Sequence, residues 1–501
     1  MRLAAGIFTL YIFLISTSVL AQLKPVAQVV NAKDSSQLTN EKLLSLFSFP
    51  NVNRIPHYED RQVLKKIVRY TQNKENEKLY QELFPYVANF GIENFYKDNQ
   101  LLWRLAQLEA ERGDTLTAKK LYKLVLKHYR EGLNMALVKE QFKELPGEKR
   151  GDFVPLDYYY ELVEYRKEID TLRPPQATYL NMGDVINSPS GDYGPALNAS
   201  SDLLVFTSKR NKIKVGLKER ENEDLMFSQN ESGYWMQAEP LEQVNTPFNE
   251  GSATISPDGD QLVFARCGSP DGSGSCDLYI SQKREDGQWA TAVNLGKEVN
   301  SKFWDSHPSF SHSGDTIFFA SDRSGGFGLS DIYLTYKDDR GRWTVPENLG
   351  PVINTKGSEV SPFYHLDHDI LYFSSNGHLL NFGEFDIYKS SRLQPIWDEP
   401  KNIGPLVNGQ GSEFYFTIDY ESKNLYYARS EEDKMANLDL YSFPLPMGAQ
   451  PLAKTSLRGR LVDQDTGDPF SSGIVSIIDL DNGIEVAPKF LRPDGSFEFQ
   501  L

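Results

Sequence analysis

Four tryptophans, Trp235, Trp289, Trp343 and Trp397, stand at equal intervals of 54 residues. Nothing else in the chain restricts its fold as tightly, because three further markers keep step with them. An aspartate heads an apolar segment at Asp224-Leu-Met-Phe, Asp277-Leu-Tyr-Ile, Asp331-Ile-Tyr-Leu, Asp386-Ile-Tyr-Lys and Asp439-Leu-Tyr-Ser. An apolar strand precedes each: Leu203–Phe206, Leu262–Phe264, Ile317–Phe319, Leu371–Phe373 and Leu425–Tyr427. A Val/Ile-Asn pair closes each unit, at Asn187, Asn245, Asn300, Asn354 and Asn408. Each unit reads as four strands parted by Gly, Asn and Asp turns. Four-stranded units repeated radially form a β-propeller. At the head of each third strand, the aspartate is expected to accept N–H groups from the preceding loop. Asp224, Asp277, Asp331, Asp386 and Asp439, like the four tryptophans, are therefore taken as repeat-structural and not catalytic.

The repeat also predicts how the ring closes. Thr178–Asn187 looks like the end of a unit, as in Val293–Asn300, yet no unit precedes it. The fifth unit stops after Asp439-Leu-Tyr-Ser-Phe and lacks its own Trp strand. Residues 176–186 should supply the missing outer strand of the last blade and so remove two open sheet edges. Five blades are expected over residues 176–445, with six as the alternative if an irregular blade hides in the pattern.

On either side of the propeller the period changes, so the fold class is multidomain. Residues 38–172 read as helical. Leu64, Ile67, Val68 and Thr71 form an i, i+3, i+4, i+7 stripe widened by Val63 and Tyr70. Leu79-Tyr80 and Leu83-Phe84 repeat the spacing, and Pro85 is expected to interrupt that helix or open the next. Leu102–Ala110 and Ala118–Leu126 flank Gly113-Asp114 as two amphipathic helices, with small residues Ala106, Ala110 and Ala118 allowing close approach. This pair resembles a tetratricopeptide repeat. Arg173-Pro174-Pro175 marks the boundary. Residues 446–455 read as a linker, and 456–501 alternate like strands. A sandwich needs about 100 residues, so this last piece is expected to be a truncated β-sandwich and the chain a fragment of a longer protein.

The first 21 residues read as a signal peptide. Arg2 supplies the charge, Leu3–Ile15 the apolar run, and Ser16–Ala21 the small residues before cleavage. The run is too short to span a bilayer, which takes about 20 apolar residues. No cysteine follows the cleavage point, so lipoprotein processing is not expected. Export permits a disulfide, and the only two cysteines, Cys267 and Cys276, are expected to form one. Net charge is −16, with 22 basic and 16 acidic residues over 22–150 and the acidic excess all behind them. That balance argues against non-specific nucleic-acid binding.

Motifs that carry chemistry are missing. The seven histidines form no His-Glu-x-x-His. His365 and His368, with Asp367 and Asp369, could ligate a metal, but a solvated turn is the expectation. Gly272-Ser-Gly-Ser-Cys276 departs from a nucleophile elbow at two positions. The spacing of Asp463, Asp465 and Asp468 is wrong for an EF-hand. Catalysis, metal and cofactor are therefore not expected.

Ser321-Asp322-Arg323-Ser-Gly325-Gly326-Phe-Gly328-Leu-Ser-Asp331-Ile-Tyr333 resembles the PD40, or WD40-like TolB-type, propeller repeat, and Ser256-Pro257-Asp258-Gly259 is its second signature. Leu457–Leu501 resembles the start of a carboxypeptidase-regulatory-like domain. In this order, signal peptide, helical repeat, propeller and sandwich resemble the OmpA-family envelope proteins of Bacteroidota, among them components of the type IX secretion system. The resemblance implies a non-enzymatic periplasmic scaffold associated with the outer membrane, with secretion-system envelope proteins as partners. In that family peptidoglycan is bound by a C-terminal OmpA-like domain missing from this chain, so no wall-binding residue is carried over. An exported glycan-binding or hydrolytic propeller protein is the alternative.

Overall fold

The computed structural model describes residues 41–145, 180–215, 218–365, 367–393, 396–405, 407–429, 438–446, 449–451, 456–479 and 484–500. The signal-peptide reading and residues 146–179, including 176–179 of the expected closing strand, lie outside them.

Five antiparallel sheets form the propeller. Blade 1 comprises Asp192–Leu197, Leu203–Val215, Lys218–Glu231 and the outer pairs Tyr234–Trp235 and Glu239–Pro240. Blade 2 comprises Asn249–Ile255, Gln261–Cys267, Cys276–Gln282 and Val293–Asn294; blade 3 comprises Asp305–Phe310, Thr316–Ser321, Asp331–Tyr336 and Glu347–Asn348. Blade 4 comprises Glu359–Tyr364, Ile370–Ser375, Asp386–Leu393, Ile396–Trp397 and Lys401–Asn402. Blade 5 takes Phe416–Ile418, Asn424–Arg429 and Asp439–Pro444 from the end of the ring and Leu180–Asn181 from its beginning. First strands touch in sequence around the axis, and the fifth touches the first. The second strands of blades 2 to 4 are almost wholly buried, as in Leu262–Ala265 and Ile370–Ser375, because blades pack face to face on both sides.

One side-chain device sets the register of every blade. The closing asparagine uses its amide as a strand edge, accepting from and donating to the residue after the repeat aspartate. Asn300 pairs this way with Leu278 (2.8 and 3.0 Å), Asn354 with Ile332 (2.8 and 2.9 Å) and Asn408 with Ile387 (2.8 and 2.9 Å). Asn245 does so with Leu225. Asn187, from the amino-terminal segment, makes the same pair with Leu440 of blade 5 (2.8 and 2.9 Å). Together with Leu180↔Ser442, Asn181↔Tyr441 and the Asp192 N–H on Leu438 O, this closes the ring.

Ahead of the propeller, a helical segment over 41–47 precedes α1 (Arg61–Gln72), α2 (Asn76–Ala88), α3 (Asn94–Lys97), α4 (Asn99–Glu111), α5 (Thr115–His128) and α6 (Met135–Glu144). Asp60, Asp114 and Asn134 cap α1, α5 and α6 through first-turn N–H groups. Gly113, with φ +81°, makes the left-handed turn between α4 and α5. Two expectations are corrected. Pro85 lies inside α2, whose buried Leu83, Tyr86 and Val87 offset the hydrogen bond a proline removes. Val68 is 53% exposed, and only Ile67 of the expected α1 stripe is buried.

The helical unit sits on the end of the propeller where first strands begin and second strands end, termed here the upper face. Phe95 and His128 pack on Phe327 of blade 3, with ring centroids 5.4 and 4.9 Å apart. Lys127, fully buried, donates to Val352 O (2.8 Å) and Glu399 (3.2 Å). His128 bonds Pro351 O (2.8 Å), and Arg130 donates to Phe327 O (2.9 Å). Asn53 exchanges two bonds with Asn348.

Part of the expected linker is docked and not free: Ala449 O accepts Tyr372 Oη at 2.6 Å and Gln450 O accepts Lys389 Nζ at 2.6 Å. Beyond it, two two-stranded sheets, Ser456–Arg460 with Ser496–Gln500 and Ile474–Asp479 with Ile484–Phe490, share Val475, Ile477, Leu491, Phe497 and Phe499 as a small core. Among the described residues no helix is long and apolar enough to cross a membrane.

Candidate binding site at the mouth of the propeller

The residues singled out from sequence hold blades together. Asp277 accepts from Ser273 N, Gly274 N and Asn294; Asp331 from Phe327 N, Gly328 N and Asn348; Asp386 from Phe382 N, Gly383 N and Asn402. Asp439 takes the Asn181 amide across the ring closure. In blade 1, Pro240 stands where the other blades place that asparagine, and Asp224 takes Asn211 and Asn222 instead. Asp331 is pushed up to about 6 by burial. Trp289 and Trp343 pair with Lys283 and Lys337 at the outer edge, while Trp235 and Trp397 pair with Asn230 and Arg392. Cys267 and Cys276 face each other across the strands of blade 2 and are joined as a disulfide.

Sequence reasoning missed a second acidic series, Asp192, Glu250, Asp305, Glu359 and Glu413, at the entrance to the five first strands. Each accepts the backbone N–H four residues before it, at 2.5 to 3.0 Å. In blades 1 to 3 an arginine closes on the carboxylate: Arg210 at 2.7 Å, Arg266 at 2.6 Å and Arg323 at 2.6 Å. Ser208-Lys209-Arg210 and Ser321-Asp322-Arg323 were the available signal. Blade 4 carries Ser375-Asn376-Gly377 there, and a Cβ on Gly377 would meet Thr355 Oγ1 at 1.8 Å. Glu359 instead holds the Ser375 and Thr355 hydroxyls at 2.6 and 2.7 Å. Burial first, then the charge of Asp331, pushes its carboxyl up to about 8. Asp192, Glu250, Asp305 and Glu359 are buried, Glu413 is partly buried, and all five are hydrogen-bonded, as buried polar groups require.

A different set of side chains meets at the axis. The third residue of each of these inner segments is left-handed: Gly194, Ser252, His307, Ser361 and Tyr415, with φ of 64, 52, 51, 48 and 59°. Register shifts flank this position in blades 1 to 4, so an irregularity in each blade turns one residue out of the ladder. In blades 3 and 5 that residue is large. The Tyr415 ring lies 5.0 Å from His307, 4.8 Å from Tyr193 and 4.8 Å from Phe414. Trp304 stands edge-on to His307 at 4.9 Å, and Phe385 lies 5.9 Å from Phe414. Lys209 lies over Tyr193 at 5.5 Å and pairs with Glu223 at 3.4 Å. Burial holds His307 down at about 3, so it is neutral. Phe303, beside Trp304, is 44% exposed. Four blades thus contribute to one aromatic cluster at the axis with a few polar groups beside it.

His365 departs from the solvated turn expected for it. It is buried, bonds Ser422 Oγ at 2.8 Å and accepts the Asp367 N–H. Among the described residues no group of three or more His, Cys, Asp or Glu could hold a metal ion.

No protein-family model matches the sequence, and no curated protein matches it. Solved structures similar to it include TolB from Acinetobacter baumannii, at 15% identity and a TM-score of 0.35 over 52% of this chain and 56% of that one. The chain therefore spans little more than half the length of that protein. A putative TolB from Agrobacterium tumefaciens is 14% identical, with a TM-score of 0.35 over 64% of this chain and 95% of that one. A glycosyl hydrolase from Bacteroides ovatus is 13% identical, with a TM-score of 0.32 over 51% and 87%. Neither the TolB nor the hydrolase likeness lends this chain a function.

Proposed function

We propose that this chain is a non-enzymatic scaffold of the bacterial envelope, working by binding and not by turnover. The observation that carries the reading is the junction of its two largest units. Lys127, His128 and Arg130 of the helical unit bond backbone carbonyls of blade 3 and of the link to blade 4. A helical-repeat surface and a propeller face are thereby held in one orientation, which suits a part that positions partners. The repeat acids are tied into blade architecture, which supports binding over acid–base chemistry. The domain order resembles that of PorE of the type IX secretion system. On that resemblance the partners are outer-membrane secretion components, the compartment is the periplasm, and wall attachment belongs to an OmpA-like domain.

The test is in-cell crosslinking and affinity recovery of the full chain, beside Lys127→Ala, which removes the buried ion pair at the junction. The proposal expects defined outer-membrane proteins on the wild type and fewer on the variant. Recovery of none from the wild type, or substrate turnover abolished by a single point substitution, would overturn it.

A further inference from the structure

The mouth of the propeller carries polar groups that the ring itself does not use. Nδ1 of His307 accepts the Ser361 N–H at 3.1 Å, so the neutral ring bears its proton on Nε2, which makes no hydrogen bond among the described residues. His307 is 91% buried, being 9% exposed, and packs between the rings of Trp304 and Tyr415. Opposite, Lys209 and Glu223 form a partly exposed pair beside Tyr193. We propose that this mouth is a binding site for a neutral saccharide.

The ligand class follows from what the mouth offers and what it denies. A sugar ring has an apolar C–H face and a rim of hydroxyls that both donate and accept. Trp304 and Phe414 supply apolar ring surface, His307 Nε2 and Lys209 donate, and Glu223 accepts. The charges of Lys209 and Glu223 cancel, while residues 151–501 hold the chain's whole acidic excess, so a polyanion would be repelled. An extended peptide would need an open strand edge. Here five amides of the inner segments are already taken by the neighbouring blade: Ser252 N by Thr207, Phe310 N by Thr254, Ser361 N by His307, Tyr364 N by Ser309 and Tyr415 N by Ser361. With the nearby acids tied into the blades, the sugar is held and not cleaved.

The test is calorimetric titration of the full chain with cellotriose, triacetylchitotriose, solubilised peptidoglycan glycan strands and an uncharged hexapeptide. The proposal expects saturable binding of at least one glycan and none of the peptide. Trp304→Ala and Glu223→Gln should each weaken it at least about tenfold with melting temperature unchanged, and Trp343→Phe at the outer edge should leave it intact. Binding of trisaccharides points to a soluble sugar, and binding of strands alone to the wall; both support the site. No glycan bound at millimolar concentration, glycan binding that survives both mouth substitutions, or binding of the peptide alone would overturn it. The scaffold reading is judged separately by partner recovery, and either can fail without the other.

Discussion

Asn354 uses both ends of its amide on one residue, accepting the Ile332 N–H and donating to Ile332 O, and it is completely buried. Asn354→Ala leaves both backbone groups unpaired, and a buried unsatisfied group costs about 1–3 kcal/mol. Urea unfolding should show a loss of about 2–4 kcal/mol, and Asn187→Ala should match it if closure uses the same device. Glu359 makes a pH prediction. Its carboxyl rises from 4.5 to about 8 on folding, so the native state holds a proton that the unfolded chain releases earlier. Stability on this account is highest below the unfolded value and falls as pH rises from 4.5 towards about 8. Glu359→Gln should flatten that fall between pH 5 and 8 in chemical denaturation. An unchanged slope contradicts the assignment. The repeat aspartates were legible at this scale because five copies in register cannot be chance. His307 and Tyr415 were not, because a left-handed residue within a first strand or just before it leaves no mark in composition or period.

Among the elements, α5 does two jobs that its sequence advertises unequally. The pairing of α4 and α5 around Gly113 could be read from periodicity and small residues. That the end of α5 plugs into the propeller could not, because Lys127 and His128 look like an ordinary basic last turn. Burial lowers the affinity of Lys127 for its proton, while Glu399 and Glu359 favour the charged form. Breaking a buried pair of this kind costs about 3–5 kcal/mol. Lys127→Ala should therefore free the helical unit, seen in limited proteolysis as faster release of a propeller fragment with blades intact. Equal cleavage rates would show that the junction holds without the Lys127 contacts. Pro85 shows the limit of local rules: packing of α2 outweighs one missing hydrogen bond.

At the scale of the molecule, the period of 54 residues determined blade number, and an incomplete fifth unit with an orphan first strand implied closure. Docking of the helical unit and the aromatic mouth depend on long-range geometry that no period encodes. The mouth rests on the ring being shut, since it exists only if Tyr193 of blade 1 meets Tyr415 of blade 5. The direct test is a disulfide trap at the closure, Leu180→Cys with Ser442→Cys. These residues face each other in the antiparallel pair, where Cα atoms lie about 4.5–5.5 Å apart, within the span a disulfide bridges. The closed ring predicts near-complete crosslinking of the folded protein under mild oxidation, with a raised melting temperature. Two thiols that stay free in folded protein would contradict it.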